Sequence, residues 1–209
     1  MGINFLLNHL FLSNAIAFFD LDGTLTKRDT LLEFTKYYCG TFRYALGLII
    51  LSPVLFLNKI GLIASHFAKE AYLSYFFKHE KYAAFCEAGS RFSVNILPQL
   101  IRESTLRRLM WHKEKGHEIV IVTASFEEWI NAWAEKRVIK IISSKLEVVD
   151  QKIIGKIQGK NCKGKEKIKR VTQEYSLSSF SEIYAYGDSP SDKPLLNLAT
   201  HSYYRDFNF

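Results

Sequence analysis

The stretch FFDLDGTLT, residues 18–26, joins the end of a short apolar segment to two acidic residues. The apolar part, AIAFF at residues 15–19, has the length and composition of a buried β-strand. That strand delivers Asp20 and Asp22 at its carboxyl end, which is where open α/β sheets bind ligands. Residues two apart in an extended chain point the same way. One carboxylate can therefore attack while the other handles protons, if Gly23 bends the chain. Taken alone, the string is also typical of a solvated Asp-Gly turn.

The rest of the chain alternates between strands and helices after a long helical segment. Residues 30–97 contain few helix breakers, and we predict helices throughout. After them, strands are predicted at residues 118–122, 138–143 and 183–186, with a β-hairpin over 147–157. Helices are predicted at residues 98–116, 126–137, 165–175 and 194–199. This alternation indicates a parallel sheet with helices on both faces.

The order of these elements predicts an α/β fold with a helical insertion. We expect residues 15–29 and 98–209 to form the core, and residues 30–97 to form an inserted α-helical cap. A length of 209 residues fits one domain that carries such an insertion. For residues 1–14 we expect a loosely packed leader. A signal peptide would need a cation before the apolar run and a small-residue cleavage site after it.

Composition and charge narrow the class of protein. A hydrophobic fraction of 48% with 23% charged residues excludes a disordered chain. The 28 Lys and Arg residues against 21 Asp and Glu residues give a formal net charge of +7, which favours anionic partners. Cys39, Cys86 and Cys162 lie far apart and form no CxxC pair. A disulfide framework or zinc site is therefore not expected, and a reducing cytoplasmic setting fits best.

An apolar segment over residues 44–64 raises the question of a membrane. It contains Pro53 and a polar Asn-Lys pair at residues 58–59, so it lacks the roughly 20 uninterrupted apolar residues that a spanning helix needs. Between Glu33 and Glu70 there is no acidic residue, although four cations occur there. Apolar surface with cations suits an anionic bilayer. The alternative is burial of the helices against each other or in a homodimer.

Three further strings place polar side chains after predicted strands or turns. IVTAS, residues 121–125, offers the Thr123 and Ser125 hydroxyls as a phosphate cradle or as a helix N-cap. NCKGKEKIKR, residues 161–170, follows a glycine turn with lysines that are either catalytic or solvated. GDSPSD contributes Asp188 and Asp192, which belong either to a capped loop or to a carboxylate group that a cation holds together.

Together these strings resemble the haloacid dehalogenase superfamily of aspartate-nucleophile phosphohydrolases, whose four motifs occur in this order. The first motif matches residues 20–24, the second Thr123, and the fourth Asp188 with Asp192. Residues 161–167 resemble the C-x-G-x-x-K form of the phosphoserine-phosphatase-like branch, subfamily IB, which selects Lys167 as the third motif. Lys165 is the alternative. The resemblance covers nearly the whole chain from residue 15 and implies a Rossmann-like core with an inserted helical cap.

The resemblance implies a role for each matching residue. Asp20 attacks phosphorus to form an aspartyl-phosphate, and Asp22 protonates the leaving oxygen and then activates water. Thr123 and Lys167 hold the phosphoryl oxygens, and Ser125 lies in the same cradle. The second Asp of the first motif argues against dehalogenase chemistry, which needs no acid for the leaving group.

The same resemblance implies Mg²⁺ as the cofactor. Its expected ligands are the Asp20 carboxylate, the Asp22 backbone carbonyl and Asp188, and Asp192 is expected to support that shell.

The expected substrate is a phosphomonoester, with two classes open. Asp29 lies nine positions after the nucleophile, where phosphoserine phosphatases carry an acidic substrate-binding residue. The string TASFE, however, replaces their SGGF-like second motif. The apolar, acid-free cap resembles instead the phosphatidylglycerophosphatase C type of the branch. We therefore expect a lipid phosphate such as phosphatidylglycerophosphate, with a soluble small-metabolite phosphatase of the phosphoserine type as the alternative.

A non-catalytic protein that binds anionic lipid or nucleic acid is the remaining alternative. Nucleic acid is not expected as a partner, because few aromatic residues accompany the lysines of residues 152–170. We expect a cytoplasmic location, with peripheral contact at the inner face of the membrane if the substrate is a lipid.

Overall fold

The computed structural model describes residues 14–208. Its strands are β1 (Ala15–Phe19), β2 (Glu118–Phe126), β3 (Lys140–Ser144), β4 (Leu146–Val149), β5 (Lys152–Ile157), β6 (Glu182–Gly187) and β7 (His201–Tyr204). Five of them form a parallel sheet in the order β3-β2-β1-β6-β7, and β4 and β5 form a separate antiparallel hairpin. The predicted α/β class and the predicted hairpin are confirmed.

The strand β1 occupies the middle of the sheet because both of its faces are apolar. All five of its residues are buried, and it pairs in parallel with β2 on one side and β6 on the other. Ala17 and Phe19 belong to one core cluster, whereas Ile16 and Phe18 belong to the other. An apolar run without polar alternation is what a strand covered on both faces requires. Asp20 therefore emerges between the ends of two neighbouring strands.

The helices fall into two groups along the chain. Between β1 and β2 lie α1 (Thr30–Cys39), α2 (Thr41–Lys59), α3 (Ser65–Phe77), α4 (Tyr82–Asn95), α5 (Leu97–Leu100) and α6 (Glu103–Glu114). After β2 lie α7 (Asn131–Glu135), α8 (Lys165–Glu174) and α9 (Lys193–Leu196), with short 3₁₀ turns at Glu127–Trp129, Leu177–Ser179 and Pro190–Asp192.

An aromatic cluster joins α1 and α4 to the end of β2. The Phe34 ring of α1 stacks on Trp129 with 4.8 Å between centroids. It also meets Phe85 and Phe92 of α4 edge-on, at 5.1 and 5.5 Å. All four side chains are fully buried. The helices of residues 30–97 are thus fixed beside the sheet by apolar packing, and their assignment as a separate cap stays a prediction.

The hairpin packs against α3 and the start of α4. The Ser74 hydroxyl donates to the Gly155 carbonyl at 3.1 Å, and the His79 amide donates to the Ile153 carbonyl at 2.8 Å. The Tyr82 amide donates to the Gln151 carbonyl at 2.9 Å. The hairpin, which follows β2 in sequence, is therefore hydrogen-bonded to the helical segment that precedes β2.

The helix predicted over residues 98–116 is broken into α5 and α6. Ile101 and Arg102 adopt extended backbone between the two helices. There the Arg102 amide donates to the Leu25 carbonyl at 2.7 Å, and the Lys27 amide donates to the Leu100 carbonyl at 2.8 Å. Pairing with the loop that follows Asp22 replaces helical hydrogen bonds at this point, a long-range contact that sequence periodicity does not report.

Two other elements differ from the prediction. Strand β2 runs to Phe126 rather than to residue 122, and the helix expected over 126–137 is reduced to a 3₁₀ turn and α7. The edge strand β7 was not predicted, since three of its four residues are exposed and it has no apolar run. Among the strands of residues 14–208, it pairs in parallel with β6 alone.

The closest packing of α4 against the segment after β2 occurs at Gly89. A Cβ atom at this position would overlap the Glu128 carbonyl. We predict that Gly89→Ala lowers the free energy of unfolding by about 1–3 kcal/mol through overpacking, although alanine favours helix by about 1 kcal/mol over glycine. Urea unfolding followed by circular dichroism measures the change.

The matched control is Ser90→Ala, at the next and exposed position of the same helix. Helix propensity alone should raise the stability of that variant by about 0.5 kcal/mol. A Gly89→Ala protein more stable than the unmodified chain would contradict the packing described here.

Candidate active site

The site begins at the carboxyl end of β1, where the chain turns sharply. The Asp20 amide donates to the Tyr186 carbonyl at 2.9 Å, which continues the pairing of β1 with β6. Gly23 has a φ of 87°, and a Cβ atom there would overlap the Asp188 carboxylate. Glycine is required both for this backbone conformation and for this close approach. The turn thereby brings the loop after β1 against the loop after β6.

Lys167 is the cation at the centre of the site. It lies on α8, is 1% exposed, and its Nζ is 2.5 Å from Asp20 Oδ1 and 2.8 Å from Asp192 Oδ1. Lys165, the alternative, is exposed at the start of the same helix. Of the two lysines, it is therefore Lys167 that the structure brings to Asp20.

Three carboxylates converge beside this lysine. Oxygen atoms of Asp20, Asp188 and Asp192 all lie within 4.8 Å of one another. The Thr24 hydroxyl donates to Asp188 Oδ1 at 3.2 Å. Asp192 is already occupied on both oxygens, since Lys167 donates to Oδ1 while the Ser189 amide and hydroxyl donate to Oδ2 at 3.0 and 2.7 Å. Asp20 and Asp188 are thus better placed than Asp192 to bind an ion directly.

Burial and neighbouring charges shift the pKa values of the three carboxylates and the lysine in this cluster. Burial raises the pKa of Asp20 to about 7, with Asp192 and Asp22 adding to the shift and Lys167 opposing it. Burial also raises the pKa of Asp188, next to Asp192. Burial disfavours the charged form of Lys167, but Asp20 and Asp192 outweigh it and raise the lysine pKa above its usual range. Lys167 in turn holds the pKa of Asp192 below its ordinary value, against burial.

The donor set fits a hard divalent cation. Carboxylate oxygens are the protein ligands that Mg²⁺ prefers. The carboxylates of Asp20, Asp188 and Asp192 carry more formal negative charge than one lysine neutralises, and burial raises the pKa of both Asp20 and Asp188. A bound cation would reverse both shifts.

The Asp22 carboxylate is held between the start of α1 and the end of β2. Its Oδ1 accepts from the Thr30 amide at 2.6 Å, and its Oδ2 accepts from the Ser125 hydroxyl at 2.6 Å. The two hydroxyls of Ser125 and Thr30 lie 3.1 Å apart. Asp22 is therefore held by one group from β2 and one from α1, and its carboxylate lines the same cavity as Asp20.

Thr123 and Asp29 form hydrogen bonds to nearby residues of their own chain segments. Thr123 is fully buried, and its hydroxyl accepts from the Ser125 amide at 2.9 Å. Asp29 caps α1 by accepting from the Leu32 amide at 3.1 Å, so that part of its hydrogen-bonding capacity is used within the helix. Burial and the nearby Asp22 raise the pKa of Asp29 to about 6.

A cavity of about 470 Å³ is lined by Asp20, Asp22 and Lys167, whereas Thr123, Asp188 and Asp192 are not among its lining residues. Its polar lining includes Asp20, Asp22, Asp29, Lys69, Ser125, Asn161, Lys163 and Lys167, and its apolar lining includes Leu31, Leu32, Leu48, Leu55 and Ala68. The acidic and basic groups come mainly from the loops that follow the strands, whereas the apolar wall comes from α1, α2 and α3. The cavity thus has a polar floor and an apolar side.

Lys69 is a cavity residue that the sequence did not single out. Its Nζ donates to the Ala124 carbonyl at 2.6 Å and to Asn161 Oδ1 at 3.3 Å, and lies 4.5 Å from the Phe126 ring centroid. Burial lowers its pKa to about 8, although Asp22 and Asp29 oppose the shift. In the sequence it was one of four cations in an acid-free segment, and nothing local distinguished it from the other three.

The relatives of this chain include two curated proteins. The chain is 29% identical over 191 residues to Protein CicA of Caulobacter vibrioides, covering 90% of this chain and 85% of the relative. It is 25% identical over 205 residues to Probable phosphatase Rv3661 of Mycobacterium tuberculosis, covering 89% of this chain and 67% of that protein.

Among solved structures, the phospho-aspartyl intermediate analogue of a phosphoserine phosphatase superposes with a TM-score of 0.64. The identity is 17%, and the match covers 91% of this chain and 85% of that one. At this identity the match shows a shared fold.

The family described as haloacid dehalogenase-like hydrolase matches residues 17–197, most of the chain. That range includes every residue of the site described above. The chain therefore belongs to the haloacid dehalogenase-like hydrolase family.

Proposed function

We propose that this hydrolase is a phosphomonoesterase that acts through an aspartyl-phosphate on Asp20. The observation that carries the proposal is the buried contact of Lys167 with Asp20, at a strand end where further carboxylates converge. A lysine and a divalent cation together would neutralise a phosphoryl group beside the nucleophile. The name of the mycobacterial relative and the phosphoserine phosphatase fold agree with this chemistry.

The proposed reaction has two steps. Asp20 attacks phosphorus while the bond from phosphorus to the leaving oxygen breaks, and Asp22 gives its proton to that oxygen. Water then attacks the aspartyl-phosphate, Asp22 takes the proton, and phosphate and free Asp20 are released. Ser125 and the Thr30 amide position Asp22 for both transfers, because they bind one oxygen each.

The proposed cofactor is Mg²⁺, held by Asp20, Asp188 and the Asp22 backbone carbonyl, with Asp192 as support. When bound, it supplies positive charge for the anionic substrate and transition state. Asp192 orients the site through Lys167 and Ser189, which occupy its oxygens. Lys167 remains protonated at neutral pH because two carboxylates surround it.

The first test uses hydrolysis of p-nitrophenyl phosphate, which we expect the unmodified protein to catalyse with Mg²⁺ and not with EDTA. We expect Asp20→Asn to abolish this hydrolysis. Acid quenching during turnover should trap phosphate on the unmodified protein and none on this variant. Asp22→Asn should slow turnover by about 10²–10⁴-fold with an alkyl phosphate. The loss should be smaller with p-nitrophenyl phosphate, whose leaving group needs little protonation. Full activity in Asp20→Asn would exclude the mechanism.

A second test separates the two lysines of α8. Lys167→Met should lower kcat/KM for p-nitrophenyl phosphate by at least about 100-fold, because a preorganised charge beside phosphorus is lost. Lys165→Met, on the exposed side of the same helix, should leave kcat/KM unchanged. Circular dichroism of both variants shows whether they are folded. Equal losses in the two variants would refute the assignment of Lys167.

The finer proposal concerns the substrate, which we expect to be a phosphate borne on a lipid. Leu31, Leu48 and Leu55 give the cavity an apolar wall, next to the polar floor that would bind the phosphate. A soluble metabolite of the phosphoserine type is the alternative. A protein that acts on such a metabolite would use Asp29 to bind the ammonium group of the substrate. Here that carboxylate caps α1, and its pKa is raised. The expected location is cytoplasmic, at the inner face of the membrane.

We predict a higher kcat/KM for phosphatidylglycerophosphate in mixed micelles than for phosphoserine. The physical reason is that acyl and glycerol groups bury apolar surface against the leucine wall, whereas a serine headgroup does not. Phosphate release from both substrates under the same conditions measures the ratio. Faster hydrolysis of phosphoserine would favour the soluble alternative, even if the aspartyl-phosphate mechanism holds.

A further inference from the structure

The outer side of α2 is an apolar face that the described residues leave uncovered. Its members lie at helical spacing along one side of the helix and just past its end. They are Phe42, Leu46, Ile49, Ile50, Phe56, Leu57 and Ile60, which we call the α2 face. Phe42 is 84% exposed and Ile49 is 70% exposed. Soluble monomers seldom expose so large a contiguous apolar patch, which therefore points to a partner.

The opposite side of α2 is packed closely against α3. Gly47 and Leu51 are buried, and a Cβ atom at Gly47 would overlap the Phe76 ring. The Arg43 guanidinium donates to the Phe76 carbonyl at 3.0 Å. The two sides of the helix therefore have distinct roles, since one fixes it to the fold and the other faces outwards.

The charges around the α2 face favour an anionic partner. No acidic residue occurs between Glu33 and Glu70, and Lys36 and Lys59 are exposed near the two ends of the face. A second copy of the chain would bring the same cations together without carboxylates from this segment to pair with them. An anionic lipid headgroup offers the missing negative charge, and its acyl region offers apolar contact.

The same helix also forms a wall of the active-site cavity. Leu48, Leu55 and Asn58 of α2 line the cavity that contains Asp20. By length and composition, α2 is long enough to cross a membrane. Spanning would nevertheless require the helix to leave α3 and to remove this wall. A helix that lies in the plane of the bilayer surface keeps both its packing against α3 and its place in the cavity wall.

We propose that the α2 face docks this protein on an anionic bilayer, with α2 lying in the interface and not across it. This inference rests on the proposed function for the role of the cavity behind the helix. The apolar side chains enter the boundary between headgroups and acyl chains, and the flanking lysines bind anionic headgroups. A phosphate borne on a lipid in the same leaflet then lies beside the helix that lines the cavity.

The test is flotation of the full chain with vesicles of phosphatidylcholine, with or without about one third phosphatidylglycerol. The unmodified protein should float with the anionic vesicles. Ile49→Glu and Phe56→Glu should each lower the partition coefficient at least about tenfold, because a charge replaces inserted apolar surface. Lys59→Glu should weaken binding to the anionic vesicles in particular. Met110→Glu, at a partly exposed apolar position on α6, is the matched control and should bind normally.

Hydrolysis of soluble p-nitrophenyl phosphate is measured on the same samples. It should be equal in the unmodified, Ile49→Glu and Phe56→Glu proteins, which shows that the variants are folded. Vesicle binding without any hydrolysis would support docking and contradict the proposed function. Absence of flotation would overturn docking, as would equal flotation of both glutamate variants. A dimer that Ile49→Glu dissociates, with no vesicle binding, would assign the face to a second copy.

Discussion

The ion group formed by Lys167, Asp20 and Asp192 is the constraint on which the site depends. All three side chains are buried, and the lysine contacts both carboxylates. Burying charges is expensive, and such a group is often less stable than apolar residues of similar volume. Its presence at a strand end is therefore poorly explained by stability. Its geometry suits a site that receives further negative charge, because Asp20, the proposed nucleophile, is already paired with a cation.

The fold brings these groups together through one edge of the sheet. Residues from the loop after β1, the end of β2, the start of α8 and the loop after β6 meet there, although the first of these segments lies more than a hundred positions before the other three. Parallel strands make this possible, since all of their carboxyl ends point the same way. The helices α1, α2 and α3 close the remaining side with apolar residues. The acidic residues of the cavity thus lie in the loop after β1, whereas its apolar wall comes from helices that also contribute Lys69.

Much of this arrangement could be predicted from the sequence, because it depends on residues that are close together in the chain. The β1 segment is apolar on both faces and is followed directly by Asp20 and Asp22, so its place in the sheet and the exit of the carboxylates follow from composition. The spacing of residues 161–167 distinguished Lys167 from Lys165 through a resemblance, and the burial of Lys167 agrees with it. Features that depend on contacts between distant parts of the sequence could not be predicted. The break between α5 and α6 depends on pairing with the loop after β1, and the position of Lys69 in the cavity depends on contacts with Ala124 and Asn161.

The attachment of the β4–β5 hairpin to α3 has a mechanical consequence. The hairpin and the helices share backbone hydrogen bonds, and a Cβ atom on Gly155 would overlap Ser74. Two chain segments, one before β2 and one after it in sequence, are therefore packed together as one unit. Any displacement of α3 from the sheet would have to carry the hairpin with it or break these contacts. The hairpin thus supports a wall of the cavity that contains Asp20, to which α3 contributes Ala68 and Lys69.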